Sequence, residues 1–176
     1  MKKTQWVVIT GPPSSGKTTL VNALGDRGHI VSSEVAREII QYTLLHGHLK
    51  KCMPRDSLVL QREILAVTLK REHSLSLDQE IFFDRGVPDS IAYFEFHGFN
   101  PKDAIRASQL RRYKRIYYCE GLPVEKDGVR LENDKIAQEI GELIIKAYTS
   151  LNYEIVFLPV VSVEERVALV LKDLKK

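Results

Sequence analysis

The segment Gly11-Pro12-Pro13-Ser14-Ser15-Gly16-Lys17-Thr18 constrains the fold of this chain more than any other feature. It matches the pattern G-x-x-x-x-G-K-[ST] in full, and its flanks supply the context that the pattern needs. Before it, Trp6 to Thr10 is a short apolar run that predicts a buried strand. After it, Leu20, Ala23 and Leu24 fall on one helical face, which predicts a helix from about Gly16 to near Gly25. A strand, a glycine loop and a helix in that order place a turn of backbone amides at a helix N-terminus, where a polyphosphate is held.

The residue types follow from that task. A triphosphate needs many donors at short range, so the backbone must wrap it with its N–H groups pointing inward. Gly11 and Gly16 permit that path. Lys17 brings a cation to the outer phosphates, and Thr18 brings a hydroxyl to magnesium. The expected ligands are therefore ATP and Mg2+, with the cofactor-binding residues running from Gly11 through Pro12, Pro13, Ser14, Ser15, Gly16, Lys17 and Thr18 to Thr19. The Asn-Lys-x-Asp motif of guanine readers is absent, which favours adenine.

Further short apolar runs alternate with helical patterns. His29–Ser32, Ile81–Asp84, Arg115–Cys119 and Tyr153–Leu158 read as strands. Helices are expected over 34–45 with Gly47 as a stop, from a cap at Asp56 to about His73, from Pro88 to Gly98, and from Asn100-Pro101 to about Ser108. Ile136, Ile140, Leu143, Ile144 and Ala147 make the cleanest helical stripe, and Ser162 with Glu165 forms a capping box for a last helix. Continuous rather than alternating strands predict a parallel sheet covered on both faces. With 176 residues and no repeat or linker, one domain spanning 1–176 is expected, with 120–133 as a polar lid loop.

Composition removes several alternatives. A net charge of +3 does not argue for nucleic acid or a membrane surface. Six basic residues between Lys102 and Arg115 read first as a solvated helix face, so nucleic acid is not expected as a partner. Cys52 and Cys119 lack partner motifs, and His46 and His48 diverge on a helix, so neither pair suggests a zinc site. No run reaches membrane-spanning length and the start shows no signal-peptide pattern, so the expected location is the cytoplasm. Homo-oligomerisation is left open.

The strand ends supply the chemistry. Strand carboxyl ends converge on the ligand crevice of open α/β sheets. Asp84 ends one strand, and it either holds magnesium, together with Thr18, or orients a substrate hydroxyl. Glu34 ends another, and it acts either as a base toward the phosphate acceptor or as a first-turn helix carboxylate. Arg37 either faces the same crevice or pairs with Glu34. Arg85 is placed to clamp substrate, and Arg130 in the lid loop is placed to neutralise the transferring phosphoryl group. Tyr42, Tyr93, Phe94 and Phe96 read first as core residues, with base stacking as the other use.

The glycine loop, S-S-E-V-A-R at 32–37, F-F-D-R-G at 82–86, D-G-V-R at 127–130 and L-P-V-V-S-V-E-E-R at 158–166 together carry a family resemblance. The chain resembles small P-loop AAA-domain proteins similar to the ribosylnicotinamide kinase domain of NadR, from about Gln5 to Asp173. That resemblance implies an α/β/α sandwich with a five-stranded parallel sheet of order 2-3-1-4-5 and a kinase-like lid. It implies phosphate transfer from ATP to a nucleoside-like hydroxyl, with Glu34 and the Asp84-Arg85 pair in catalytic places and the loop 159–162 near adenine. The adenylyltransferase and DNA-binding domains of the bifunctional regulators have no counterpart in this sequence.

Two functions are therefore weighed: a small-molecule kinase with Lys17, Glu34, Asp84, Arg85 and Arg130 as catalytic residues, and a nucleotide-binding switch with slow hydrolysis and no small-molecule acceptor. A mechanical AAA ATPase would need a strand ending in Asp-Glu, and here Arg85 follows Asp84.

Overall fold

The computed structural model describes residues 2–39, 57–121 and 131–175, with the side chains of 131–133 left aside. In chain order the elements are β1 (Lys2–Lys3), β2 (Val7–Thr10), α1 (Lys17–Gly25), β3 (Val31–Ser32), α2 (Leu58–Ser74), β4 (Phe82–Asp84), α3 (Val87–Phe96), α4 (Lys102–Ser108), β5 (Arg111–Arg112), β6 (Arg115–Cys119), α5 (Leu131–Ser150), β7 (Ile155–Leu158) and α6 (Val163–Asp173). Residues 35–39 are also helical.

Five of the strands form one parallel sheet, in the order β3-β4-β2-β6-β7. Counted along the chain, that is 2-3-1-4-5, as the resemblance implied. Successive residues of β2 divide between the two faces. Val7 and Ile9 pack with Leu20, Leu24, Val167 and Val170 of α1 and α6. Val8 packs with Phe83, Ala92, Ile140 and Ile144, which brings α3 and α5 onto the opposite face. Burial on both sides explains why the strands read as continuous apolar runs. Beneath α3 and α4 a third cluster joins Leu65 of α2 to Ile91, Phe94 and Ala104.

The register carries the site. Ile9 of β2 is paired with Asp84 of β4, and the Arg85 amide donates to the Ile9 carbonyl at 3.0 Å. The glycine loop that follows Thr10 therefore emerges beside Asp84-Arg85, at the carboxyl edge of the sheet.

The structure corrects several expected details. Lys2–Lys3 and Arg111–Arg112 form a second, two-stranded parallel sheet that no apolar pattern announces. Ser57 caps α2, its hydroxyl accepting from the Leu60 amide at 3.2 Å, whereas Asp56 lies outside the described residues. The helix α5 begins at Leu131, so the lid loop does not reach Asn133. The capping box at α6 forms as expected: Ser162 Oγ accepts from the Glu165 amide, and Glu165 Oε2 accepts from the Ser162 amide. Cys119 is a buried free thiol. Arg112 donates to the Leu151 and Asn152 carbonyls and Arg115 pairs with Asp173, so part of the basic run is structural. Tyr42, His46, Gly47, His48, Cys52 and the segment 122–130, including Arg130, lie outside the described residues. Among the described residues, no helix is long and apolar enough to cross a membrane.

Candidate active site

The loop between β2 and α1 follows a path few residues adopt. Gly11, Ser14 and Gly16 have φ angles of 140°, 61° and 83°. A Cβ at Gly11 would sit 2.4 Å from the Cys119 carbonyl oxygen, so glycine is required there. Lys17 folds back into the cradle, where its Nζ donates to the Pro12 carbonyl at 2.5 Å and to Ser15 Oγ at 3.2 Å. Burial pushes the Lys17 ammonium down to about 8, and the like charge of Arg85 acts in the same direction. The cradle therefore holds a desolvated cation on protein oxygens that an incoming polyphosphate would replace.

Arg166 braces this loop from below. It is buried, and it donates to the Ser15 carbonyl at 2.6 Å, the Pro159 carbonyl at 2.9 Å and the Glu120 carbonyl at 3.1 Å. One guanidinium thus ties the glycine loop to the ends of β6 and β7. Sequence reasoning assigned Arg166 no role, since an arginine four places after a cap reads as solvent-facing.

Thr18 Oγ1 donates to Asp84 Oδ2 at 2.6 Å. The second carboxylate oxygen, Oδ1, is buried without a hydrogen-bond partner among the described residues. Burial raises the Asp84 carboxyl above its ordinary value; the Thr18 hydrogen bond opposes this and the negative charge of Glu34 adds to it. An orphaned carboxylate oxygen beside a hydroxyl is an oxygen-only donor pair, which suits a hard cation such as magnesium. The residues present therefore fit the metal, which would satisfy the orphaned atom.

Glu34 and Arg85 meet across the mouth of the sheet. Arg85 Nε donates to Glu34 Oε1 at 2.8 Å, and its NH1 donates to Asp89 Oδ1 at 3.1 Å. Arg85 adopts a left-handed backbone at φ 74°, a conformation costing a non-glycine residue about 1–2 kcal/mol. Its side chain also lies over the Tyr93 ring, 5.1 Å from the centroid. Burial alone would raise the Glu34 carboxyl, but the charge and hydrogen bond of Arg85 outweigh burial and hold it below its ordinary value. Glu34 is thus a carboxylate at neutral pH. Arg37 adds a looser contact to Glu34 at 3.6 Å while lining the phosphate groove, so both roles considered for it are met.

Asp89 was missed. It is buried, and it accepts from Thr10 Oγ1 at 2.6 Å, Tyr148 OH at 2.7 Å and the Gly86 amide at 3.0 Å, besides Arg85. It links β2, β4, α3 and α5 and fixes the arginine. The spacing D-R-G-V-P-D is its sequence signal: an aspartate one helical turn after Arg85 and in the first turn of a helix.

Two hollows open at this edge. A groove of about 1000 Å³ runs along Pro13 to Thr19, Asn22 and Glu164. A cavity of about 410 Å³ lies between α2, α3 and the start of α5. Glu34, Arg85 and Tyr93 line both. Phe96 also lines the cavity, whereas Phe94 lies in the core. Ile136, expected in the helical core stripe, lines the cavity instead.

Comparison with known proteins places this geometry in context. A family model described as an AAA domain matches residues 6–166. The fold is similar to thymidylate kinase from Ehrlichia chaffeensis, with a TM-score of 0.69 and 13% identity over 99% of this chain and 100% of that one. It is similar to deoxyadenosine kinase from M. mycoides, with a TM-score of 0.64 and 16% identity over 97% of this chain and 98% of that one. It is also similar to NadR protein in complex with NR, with a TM-score of 0.64 and 19% identity over 88% of this chain and 43% of that one. In sequence, an uncharacterized KH and PIN-domain containing protein of Methanocaldococcus jannaschii is 32% identical over 116 residues, which is 60% of this chain and 17% of that protein. The chain thus spans about a sixth of the length of that relative.

Proposed function

The chain belongs to the AAA-domain family of P-loop proteins, and from that membership and the site geometry we propose that it transfers the terminal phosphate of ATP to a hydroxyl of a nucleoside-like small molecule. The observation that carries this reading is the shared wall. A phosphate groove and a separate small-molecule cavity adjoin at Glu34 and Arg85, where a donor and an acceptor would face each other. A nucleotide switch needs only the first of these hollows.

In this reading the loop amides and Lys17 hold the β- and γ-phosphates. Thr18 and Asp84 hold magnesium, which supplies charge neutralisation at the phosphates. Glu34 accepts a hydrogen bond from the acceptor hydroxyl and aims its oxygen at the γ-phosphorus. The new P–O bond forms as the bond to the leaving ADP oxygen breaks, and the hydroxyl proton passes to Glu34 and on to solvent. A carboxylate paired with arginine is a weak base, but a loose phosphoryl transition state asks mainly for positioning and charge neutralisation. Arg85 provides cationic charge at the transfer point. Arg130, which lies outside the described residues, is proposed from its place in the sequence as a further cation.

The test is ADP release with ATP and magnesium across nucleosides, nucleotides and small alcohols. Acceptor-stimulated release that Lys17→Ala abolishes supports the kinase. Tight nucleotide binding with slow hydrolysis and no acceptor effect across the panel assigns the chain to the switch class.

A further inference from the structure

Arg85 stands on the shared wall in a left-handed backbone conformation, with φ 74°. A non-glycine residue stays there only where its surroundings fix it from several sides. Three successive amides do this. The Arg85 amide donates to the Ile9 carbonyl, the Gly86 amide to Asp89 Oδ2 and the Val87 amide to the Tyr113 hydroxyl, each at 3.0 Å. The first two anchors belong to β2 and Asp89, already parts of the site. The third comes from outside it. Tyr113 lies between β5 and β6 and is buried, and its hydroxyl donates in turn to buried Glu72 of α2 at 2.5 Å. Neither Tyr113 nor Glu72 lines the groove or the cavity. Gly86 leaves room for this contact. A Cβ there would stand 3.0 Å from the hydroxyls of both Tyr113 and Tyr148, and Tyr148 is the phenol that donates to Asp89.

We propose that Tyr113, held by Glu72 and acting through the Val87 amide, is a positioning residue for Arg85 in phosphate transfer. This inference rests on the phosphotransfer reading and adds to it a pair of groups that touch neither ATP nor acceptor. The contact is sensitive to charge. The groups acting on Glu72 are Tyr113, Arg111 of β5 and His73 on α2 itself, and Tyr153 is stacked on Tyr113 with ring centroids 6.0 Å apart. Arg111 Nε is buried without a hydrogen-bond partner among the described residues. Burial raises the Glu72 carboxyl to about 7. While Glu72 is neutral, the phenol oxygen stays on the Val87 amide. Once Glu72 ionises, the carboxylate is drawn toward the unpaired guanidinium nitrogen and binds the phenol hydrogen more tightly. The hydroxyl is then pulled off the Val87 amide, Arg85 loses its third anchor, and turnover falls.

The experiment compares wild type with Tyr113→Phe, which loses the hydroxyl, and with Glu72→Gln, which keeps an acceptor for Tyr113 but cannot ionise. Two quantities are followed from pH 5.5 to 8: kcat for phosphate transfer at saturating ATP, and the 15N resonance of Arg85 Nε with ADP and magnesium bound. Bound phosphates hold Lys17 charged in both. Tyr113→Phe should lower kcat by about ten- to a hundredfold, with ATP affinity unchanged and the Arg85 resonance moved. In wild type both quantities should titrate near pH 7, and in Glu72→Gln both should be flat. A titration owed to His73, or to His97 in the cavity wall, would survive in Glu72→Gln and overturns the charge linkage. Wild-type kcat and an unmoved Arg85 resonance in Tyr113→Phe, with only the melting temperature lowered, mark a structural tyrosine and overturn the proposal. Should Tyr113→Phe fail to fold, Glu72→Gln decides by the same two profiles. With no transfer to any acceptor, the resonance decides alone: a titration that Glu72→Gln removes keeps the hold on Arg85 while the phosphotransfer reading falls, and an unchanged one overturns both.

Discussion

Arg85 at the end of β4 is tied to Glu34 at the end of β3 by a 2.8 Å hydrogen bond between Nε and Oε1. This bond spans the wall that the phosphate groove and the cavity share. It sets the charge state of the carboxylate, since Arg85 holds Glu34 below its ordinary value against the opposing effect of burial. Glu34→Gln keeps the size and removes the charge. In the phosphotransfer reading turnover should fall by about 10²–10⁴-fold, with ATP affinity nearly unchanged. Steady-state kinetics beside nucleotide titration separates the two effects. A parallel loss of ATP affinity would show instead that Glu34 only shapes the phosphate groove.

Removing Arg85 should act on stability as well. Arg85→Ala leaves Glu34 and buried Asp89 without their shared cation. Breaking a buried pair from one side costs about 3–5 kcal/mol, and relief of the left-handed backbone strain does not occur, because alanine carries a Cβ as well. Arg85→Ala with Asp89→Asn should recover part of the loss, since it removes the stranded charge. Urea denaturation of the single and double variants measures the coupling; strict additivity would argue against it.

How much of this was legible in the sequence depends on the kind of signal each residue leaves. The glycine loop was readable because a phosphate cradle demands particular residue types at fixed spacing, whereas the strand order followed from the family resemblance. Asp84 and Glu34 were readable because strand ends converge. Arg166 and Asp89 were not, for one physical reason. Each is a polar residue on a helix, and periodicity assigns such residues to the solvent face. Arg166 is buried because it satisfies carbonyls from distant segments, and nothing local records those partners; Asp89 has local partners in Arg85 and Gly86, but its bonds to Thr10 and Tyr148 come from distant segments. The pairing of Lys2–Lys3 with Arg111–Arg112 escaped for a related reason. Its strands are too short and too charged to form an apolar run, and only the tertiary fold brings them together.

Arg166 offers a direct check on the loop. Arg166→Lys keeps a positive charge but cannot reach the three carbonyls of Ser15, Pro159 and Glu120 together. A loosened cradle should bind ATP about tenfold more weakly, and Arg166→Ala should be worse, since each charged hydrogen bond contributes about 1.5–3 kcal/mol. Fluorescent ATP-analogue titration measures this. Equal affinity in all three proteins would show that the loop holds its shape without the brace.

Lys17 predicts a proton linked to nucleotide. Burial, with Arg85 adding to it, pushes its ammonium down to about 8 in the free protein. A polyphosphate stabilises the charged form and raises that value again. At pH 8.5 the free lysine is more than half neutral, so ATP binding should take up a fraction of a proton, and affinity should fall as pH rises beyond about 8. Calorimetry in buffers of different ionisation enthalpy reads the uptake directly. Proton release, or no buffer dependence at that pH, would contradict the assignment.

A second titration lies away from the phosphates. Tyr113 OH donates to Glu72 Oε1 at 2.5 Å and accepts from the Val87 amide at 3.0 Å, so the pair joins the end of α2 to the start of α3 just beyond Arg85. Burial raises the Glu72 carboxyl to about 7, against an ordinary 4.5, with the Tyr113 hydrogen bond and the charges of Arg111 and His73 opposing the rise. The folded chain therefore holds a proton that the unfolded chain releases. For this sign of shift, the stabilising contribution is complete below pH 4.5 and is lost as pH rises to about 7. The full loss is at most about 3 kcal/mol. Glu72→Gln keeps an acceptor for Tyr113 and removes the titration. The wild-type melting temperature should therefore fall behind that of Glu72→Gln as pH rises from 5 to 7, by about 5–10 °C at this chain length. The gap should then stay constant above pH 7.5. A difference independent of pH across that window would place the Glu72 titration elsewhere and leave Tyr113 as a purely structural partner.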